Sequence, residues 1–209
     1  MKKTVVIASI LLMLAGCKVE ITTPVNISEL NNNVKKIVES QLDVEVASCN
    51  DFNDSRKESE SLIEAKSSIG KIFPKAEFIE CYREQFDNKA AFKIPVTVGS
   101  KDGDISIYQI GDSKFNYVAI SENLQNKIKA FKKKSFDKIE PSITILLKND
   151  TDEEQSIAVY SAYVNGNGIS LGTLTLKEGN VISIKLSDAS IDSIMKRNTS
   201  LFIVNLIDE

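Results

Sequence analysis

Histidine and tryptophan are both absent from the 209 residues, and only 4 prolines and 3 cysteines are present. Imidazole is the usual general base near neutral pH and a frequent transition-metal ligand. Its absence excludes Ser-His-Asp, Cys-His and zinc-protease mechanisms. Glycosidase chemistry needs only two carboxylates, which 29 acidic residues supply, but a chain without tryptophan lacks the best ring for stacking on sugars. No run of apolar residues is long enough to span a bilayer of roughly 30 Å as a helix.

What is present is an ordinary globular composition, 42% hydrophobic and 26% charged, enough for one large domain or two small ones. The formal charge is -3. Without Lys2 and Lys3 it becomes -5, from 24 basic and 29 acidic side chains, so nucleic acid is not an expected partner.

The N-terminus carries an export signal. Met1-Lys2-Lys3 is a positive n-region, and Val5 to Leu14 is a nearly unbroken apolar stretch of the length of a cleavable h-region. Leu14-Ala15-Gly16-Cys17 follows and resembles the lipobox of bacterial lipoproteins. The resemblance implies removal of residues 1–16, diacylglycerol on the Cys17 thiol and further acylation of the new amine, with palmitate a typical chain. Two or three acyl chains hold a protein on a membrane stably, whereas one does not. Lys18, rather than an aspartate, follows the cysteine, which by the same resemblance implies the outer membrane.

With Cys17 acylated, Cys49 and Cys81 remain, and an even pair in an oxidising compartment predicts a disulfide closing a loop of about 33 residues. Along the chain, Val19 to Thr23 reads as a strand ended by Pro24, and Ser28 as the cap of a brief helix. Leu42, Val44 and Val46 alternate with Asp43, Glu45 and Ala47 as in a half-buried strand. Ser55 to Glu58 has a capping-box pattern, and the apolar spacing from Leu62 to Phe73 predicts a helix over about 55 to 70. Strands are predicted at 77–83 and 91–98, with Pro95 marking an edge or bulge. Shorter strands follow around Ile105 to Ile110 and Tyr117 to Ile120, then a helix capped by Ser121.

After Glu140-Pro141 the pattern changes to strands at 143–147, 157–164, 169–176, 181–186 and 201–206, separated by hairpin turn signals. One short helix carries Ile191, Ile194 and Met195. The expected class is α+β. A lipidated N-terminus with a short tether or strand over 17–27 precedes a mixed α/β domain over 28–138, and an antiparallel β-sandwich-like module occupies 139–209.

Three motifs invite chemistry. Ser-x-x-Lys occurs at Ser68, Ser135 and Ser193, but 23 serines and 23 lysines give about 2.5 such spacings by chance. The Ser-Asp-Asn and Lys-Thr-Gly elements of penicillin-recognising enzymes are missing. Asp150, Asp152, Glu153 and Glu154 lack the glycine and the distal glutamate of a calcium loop, and read as a solvated turn. Lys127, Lys129, Lys132, Lys133 and Lys134 lie opposite the Leu124, Ile128, Phe131 stripe, either as a membrane-facing basic helix or as the solvated side of a packed one. No cofactor and no metal is expected.

Two stretches carry a wider resemblance. One runs from Val46-Ala47-Ser48-Cys49 through Asp54-Ser55-Arg56-Lys57 and Ile72-Phe73-Pro74-Lys75-Ala76-Glu77-Phe78-Ile79-Glu80-Cys81 to Phe92-Lys93-Ile94-Pro95-Val96. The other joins Leu147-Lys148-Asn149-Asp150-Thr151 to Ser161-Ala162-Tyr163-Val164-Asn165-Gly166. With the lipobox, they make the chain similar to uncharacterised lipoproteins carried by bacteriophages, prophages and their enterobacterial hosts. The resemblance implies an envelope location and a phage or prophage origin. The expectation is a non-enzymatic envelope lipoprotein that binds another envelope protein, for example by blocking a receptor against superinfection. The alternative is an envelope enzyme acting on peptidoglycan or lipid through carboxylates.

Overall fold

The computed structural model describes residues 18–32, 34–111, 113–134 and 140–206, with the side chains of 132–134 and 140 left aside. The lipobox and Cys17 lie outside the described residues, as does Ser135.

The described residues form eleven strands and four helices. In chain order they are β1 (Lys18–Asn26), α1 (Ile27–Asn31), β2 (Lys36–Val46), α2 (Glu60–Ile72), β3 (Glu77–Glu84), β4 (Asp87–Val98), β5 (Ile105–Gln109) and β6 (Phe115–Ile120). Then come α3 (Glu122–Lys134), β7 (Glu140–Lys148), β8 (Gln155–Val164), β9 (Asn167–Leu176), β10 (Val181–Leu186), α4 (Asp188–Arg197) and β11 (Thr199–Leu206). All strands belong to one sheet, ordered β10-β7-β1-β2-β4-β5-β6-β11-β8. β8 pairs with β11 along Ser156 to Val159 and with β10 along Ala162 to Val164, which closes a nine-stranded barrel. β3 and β9 hang from β4 and β8 outside the ring.

The chain is therefore mostly β, and the expected C-terminal sandwich is replaced by part of a closed wall. Strands β7, β8, β10 and β11 from 139–209 are staves of the same barrel as β1, β2, β4, β5 and β6. The reason is pairing across the proposed boundary. β1 runs parallel to β7 over its whole length, and β11 lies between β6 and β8. A closed ring leaves fewer free edges than two packed sheets.

Alternation decides which face each strand turns inward. Ile21 and Val25 of β1, Leu42, Val44 and Val46 of β2, and Ala90, Phe92, Ile94, Val96 and Val98 of β4 point to the core. Phe202, Ile145, Leu147 and Ile184 continue that core from the C-terminal staves. α1 touches both β1 and β5 and buries Ile27 and Leu30 completely at the end of the barrel where β1 finishes.

Several local expectations meet a different outcome. β1 continues through Pro24 because β2 pairs only as far as Thr22, so Pro24 needs no second ladder. Pro95 lies where β4 has β2 alone as neighbour, beyond the last β3 pair at Lys93 and before the first β5 pair at Thr97, in agreement with an edge position. The cap of α1 is Asn26 rather than Ser28, since Glu29 accepts from the Asn26 backbone N–H at 3.2 Å and from its side chain at 3.0 Å.

α2 starts at Glu60, capped by Ser59, whose Oγ accepts from Leu62 N–H at 3.1 Å. The Ser55 to Glu58 pattern is not a helix start. Asp51 and Asp54 there accept the backbone N–H groups of Asn53, Asp54 and Arg56, and such local bonds favour turns over helix. The loop is pinned to β3 by a Cys49–Cys81 disulfide with Cα atoms 5.6 Å apart.

Candidate functional site

The outer faces of β1, β2 and β4 meet the β3–β4 hairpin in a cleft of about 330 Å³. Lys18, Glu20, Asp43, Glu45, Glu84, Gln85, Asp87 and Lys89 line it, five carboxylates against two ammonium groups. Strand register brings these residues together. Glu20 stands directly opposite Asp43, Glu45 opposite Lys89, and Lys89 opposite Tyr82. Residues directly opposite in an antiparallel pair have Cβ atoms about 4.5–5.5 Å apart, close enough to couple electrostatically.

Lys89 is the hub, bonded to Glu84 at 2.6 Å and to Glu20 at 2.8 Å. Burial disfavours its charge, but the two carboxylate hydrogen bonds outweigh this and hold its pKa well above the ordinary lysine value. Glu20 is correspondingly lowered, first by the hydrogen bond from Lys89 and further by the fields of Lys89, Lys185 and Lys18. Lys185 approaches Glu20 at 3.8 Å, and Lys18 approaches Asp87 at 3.7 Å.

Asp43 moves the other way. It is 7% exposed, and desolvation raises its pKa despite hydrogen bonds from Gln41, at 2.9 and 3.0 Å, and from Tyr82. Burial likewise raises the Tyr82 phenol, with the Asp43 charge adding to it. Glu45 Oε2 is buried without a protein partner. Two facing carboxylates pushed in opposite directions are the electrostatic pattern of an acid and base pair.

The charges on β2 are legible as the outward half of its alternation. Glu20 and Lys89 are not, because only the register of β1 and β4 on β2 brings them to Asp43 and Glu45. Among the described residues, no group of three or more His, Cys, Asp or Glu side chains could hold a metal ion.

The other sequence candidates are engaged elsewhere. Ser193 Oγ donates to the Thr199 carbonyl at 3.0 Å, while Lys196 binds Asp192 at 2.6 Å, so this Ser-x-x-Lys spacing makes no serine-lysine pair. Asp150 accepts from the Ser28 N–H at 3.0 Å and from its hydroxyl at 2.5 Å, tying the β7–β8 turn to α1. The fully buried Asn149 organises that turn. Its side-chain amide donates to the Glu153 and Leu176 carbonyls and its oxygen accepts from Thr151. Lys127 donates to the Ile72 carbonyl at 3.3 Å and Lys129 to Gln125 at 2.7 Å, while the side chains of Lys132, Lys133 and Lys134 lie outside the description.

A second surface lies on the β8–β9 hairpin. Among the described residues β9 pairs with β8 alone, and its ten residues, Asn167 to Leu176, contain neither a charge nor a proline. Natural sheets usually blunt such an edge with lysine, proline or a bulge. Leu171, 64% exposed, stands opposite Tyr160, and Tyr163 is exposed beside Gly168.

A family profile described as "Domain of unknown function (DUF7424)" matches residues 19–208. No curated protein and no solved structure matches the chain.

Proposed function

The chain is a member of the DUF7424 family, a domain of unknown function, and from that premise we propose that it is a non-enzymatic, lipid-anchored envelope protein of phage or prophage type that binds another envelope protein. The observation that carries this reading is contiguity. The lipobox cysteine is residue 17, and β1 begins at Lys18. The family match begins at 19, so in the sequence the acylation signal directly precedes the matched domain. The free β9 edge and the Tyr160, Tyr163, Leu171 patch support protein binding, since an extended segment of a partner can add to such an edge through main-chain hydrogen bonds. Receptor blocking against a second phage is the concrete form of this role, and Lys18 after the cysteine favours the outer membrane.

The test is metabolic labelling with a palmitate analogue, followed by photo-crosslinking in intact cells from a reactive residue placed at position 171. Label on the wild type and none on Cys17→Ser, together with one discrete crosslinked envelope protein, is the expected result. Unlabelled, freely fractionating protein refutes the anchor.

A second reading, an envelope enzyme working through carboxylates on peptidoglycan or lipid, rests on the facing Glu20 and Asp43. Purified protein incubated with sacculi, or with phospholipid vesicles, releases muropeptides or lysolipid on that reading, and Asp43→Asn abolishes the release.

A further inference from the structure

We infer that the barrel end bearing Lys18 sits on the bilayer itself, with Phe86 and Phe52 inserted between the lipid headgroups. The inference rests on the Cys17 anchor proposed above. β1 starts at the residue after that cysteine, so the first stave lies within one residue of the acyl chains. A fold joined this closely to a membrane must turn one particular end toward it.

That end is identified by register. Val46 at the finish of β2 pairs with Asn88 at the start of β4, and Lys18 at the start of β1 contacts Asp87. The β3–β4 hairpin turns there, through Gln85 and Phe86, with Gln85 in the left-handed region at φ 53°. Phe86 is 88% exposed at its tip.

The loop leaving β2 lies at the same end. The Asn88 side chain donates to the Ala47 carbonyl, and the Cys49–Cys81 bond ties the loop to β3. This loop carries Phe52, 99% exposed. The two most exposed large apolar side chains of the described residues thus belong to the two loops flanking the lipidated terminus. Carboxylates predominate around the cleft beside them, which argues for insertion into zwitterionic lipid by apolar burial rather than for adsorption to anionic lipid.

The chain has no tryptophan, so one introduced indole reports on one position. Lipidated, signal-processed Phe86→Trp and Phe52→Trp proteins are reconstituted in phosphatidylcholine and phosphatidylethanolamine vesicles, with and without brominated acyl chains. Ile37→Trp serves as the control, because Ile37 is exposed near the opposite end of β2, nine residues from Val46. The expected result is blue-shifted emission quenched by bromine for F86W and F52W, unchanged by added salt, with unshifted and unquenched emission for I37W. Acylation of each preparation is read by mass. Acylated protein whose indole at 86 or 52 stays in water overturns the inference and leaves the anchor standing, whereas protein without acyl chains removes both.

Discussion

At the scale of single residues, Lys89 decides how the cleft is charged. Lys89→Met removes the hydrogen-bonded cation from Glu84 and leaves Glu20 only the more distant Lys185, lowering stability at pH 7 by about 1–2 kcal/mol, less than a fully buried pair would lose because Glu84 is more than half exposed. The folded-state pKa of Glu20 lies below its ordinary value of 4.5 and that of Lys89 above its ordinary value of 10.5. The pair therefore stabilises fully between those two ordinary values. Its contribution fades as pH falls through the lowered glutamate pKa or rises through the raised lysine pKa. Denaturant titrations of wild type and variant should differ most near neutrality and converge in acid.

Asp43 has the opposite sign. Its folded pKa lies above the ordinary 3.8, so ionising it inside the fold costs stability as pH rises through that raised value. Asp43→Asn should remove this loss. The stability of D43N relative to wild type then increases as pH rises above the ordinary 3.8, measured by the same titrations. A constant difference would mean that Gln41 and Tyr82 fully compensate the burial.

At the scale of elements, the disulfide holds the 49–58 loop against β3. Replacing Cys49 and Cys81 together by serine removes a cross-link spanning 32 residues and should lower stability by about 3–4 kcal/mol on the chain-entropy estimate, read by thermal denaturation with and without reductant. Elements with regular alternation were legible from sequence, such as the five C-terminal strands and the helix capped by Ser121. The first half of β2 was not. There Ile37 faces solvent at 62% exposure while Ser40 faces the core at 2%, which inverts the usual pattern. The start of α2 was misplaced for a chemical reason, since two aspartates spend their oxygens on turns that imitate a helix cap. The cleft was half legible. Asp43 and Glu45 share a face by period, but their partners are set by long-range register, which no local spacing encodes.

At the scale of the whole molecule, closure is what sequence reading could not supply. A boundary near Pro141 follows from the change of pattern, yet nothing local says that β7 will run parallel to a strand 122 positions earlier in the chain, as Lys18 does with Glu140. One shared core implies one cooperative unfolding event. The isolated 139–209 segment should therefore lack native dispersion in its proton NMR spectrum. An independently folded fragment would restore the two-module description.

The parallel contact of β1 with β7 also has a mechanical side. With the anchor proposed at Cys17, a pull on that end would reach the start of β1, which is clamped by β7 over nine residues and by β2 over four. The ladders are then loaded in shear, many rungs at once, instead of being unzipped from one end. A chain held by its N-terminal end would resist extraction at the very strand that bears the load.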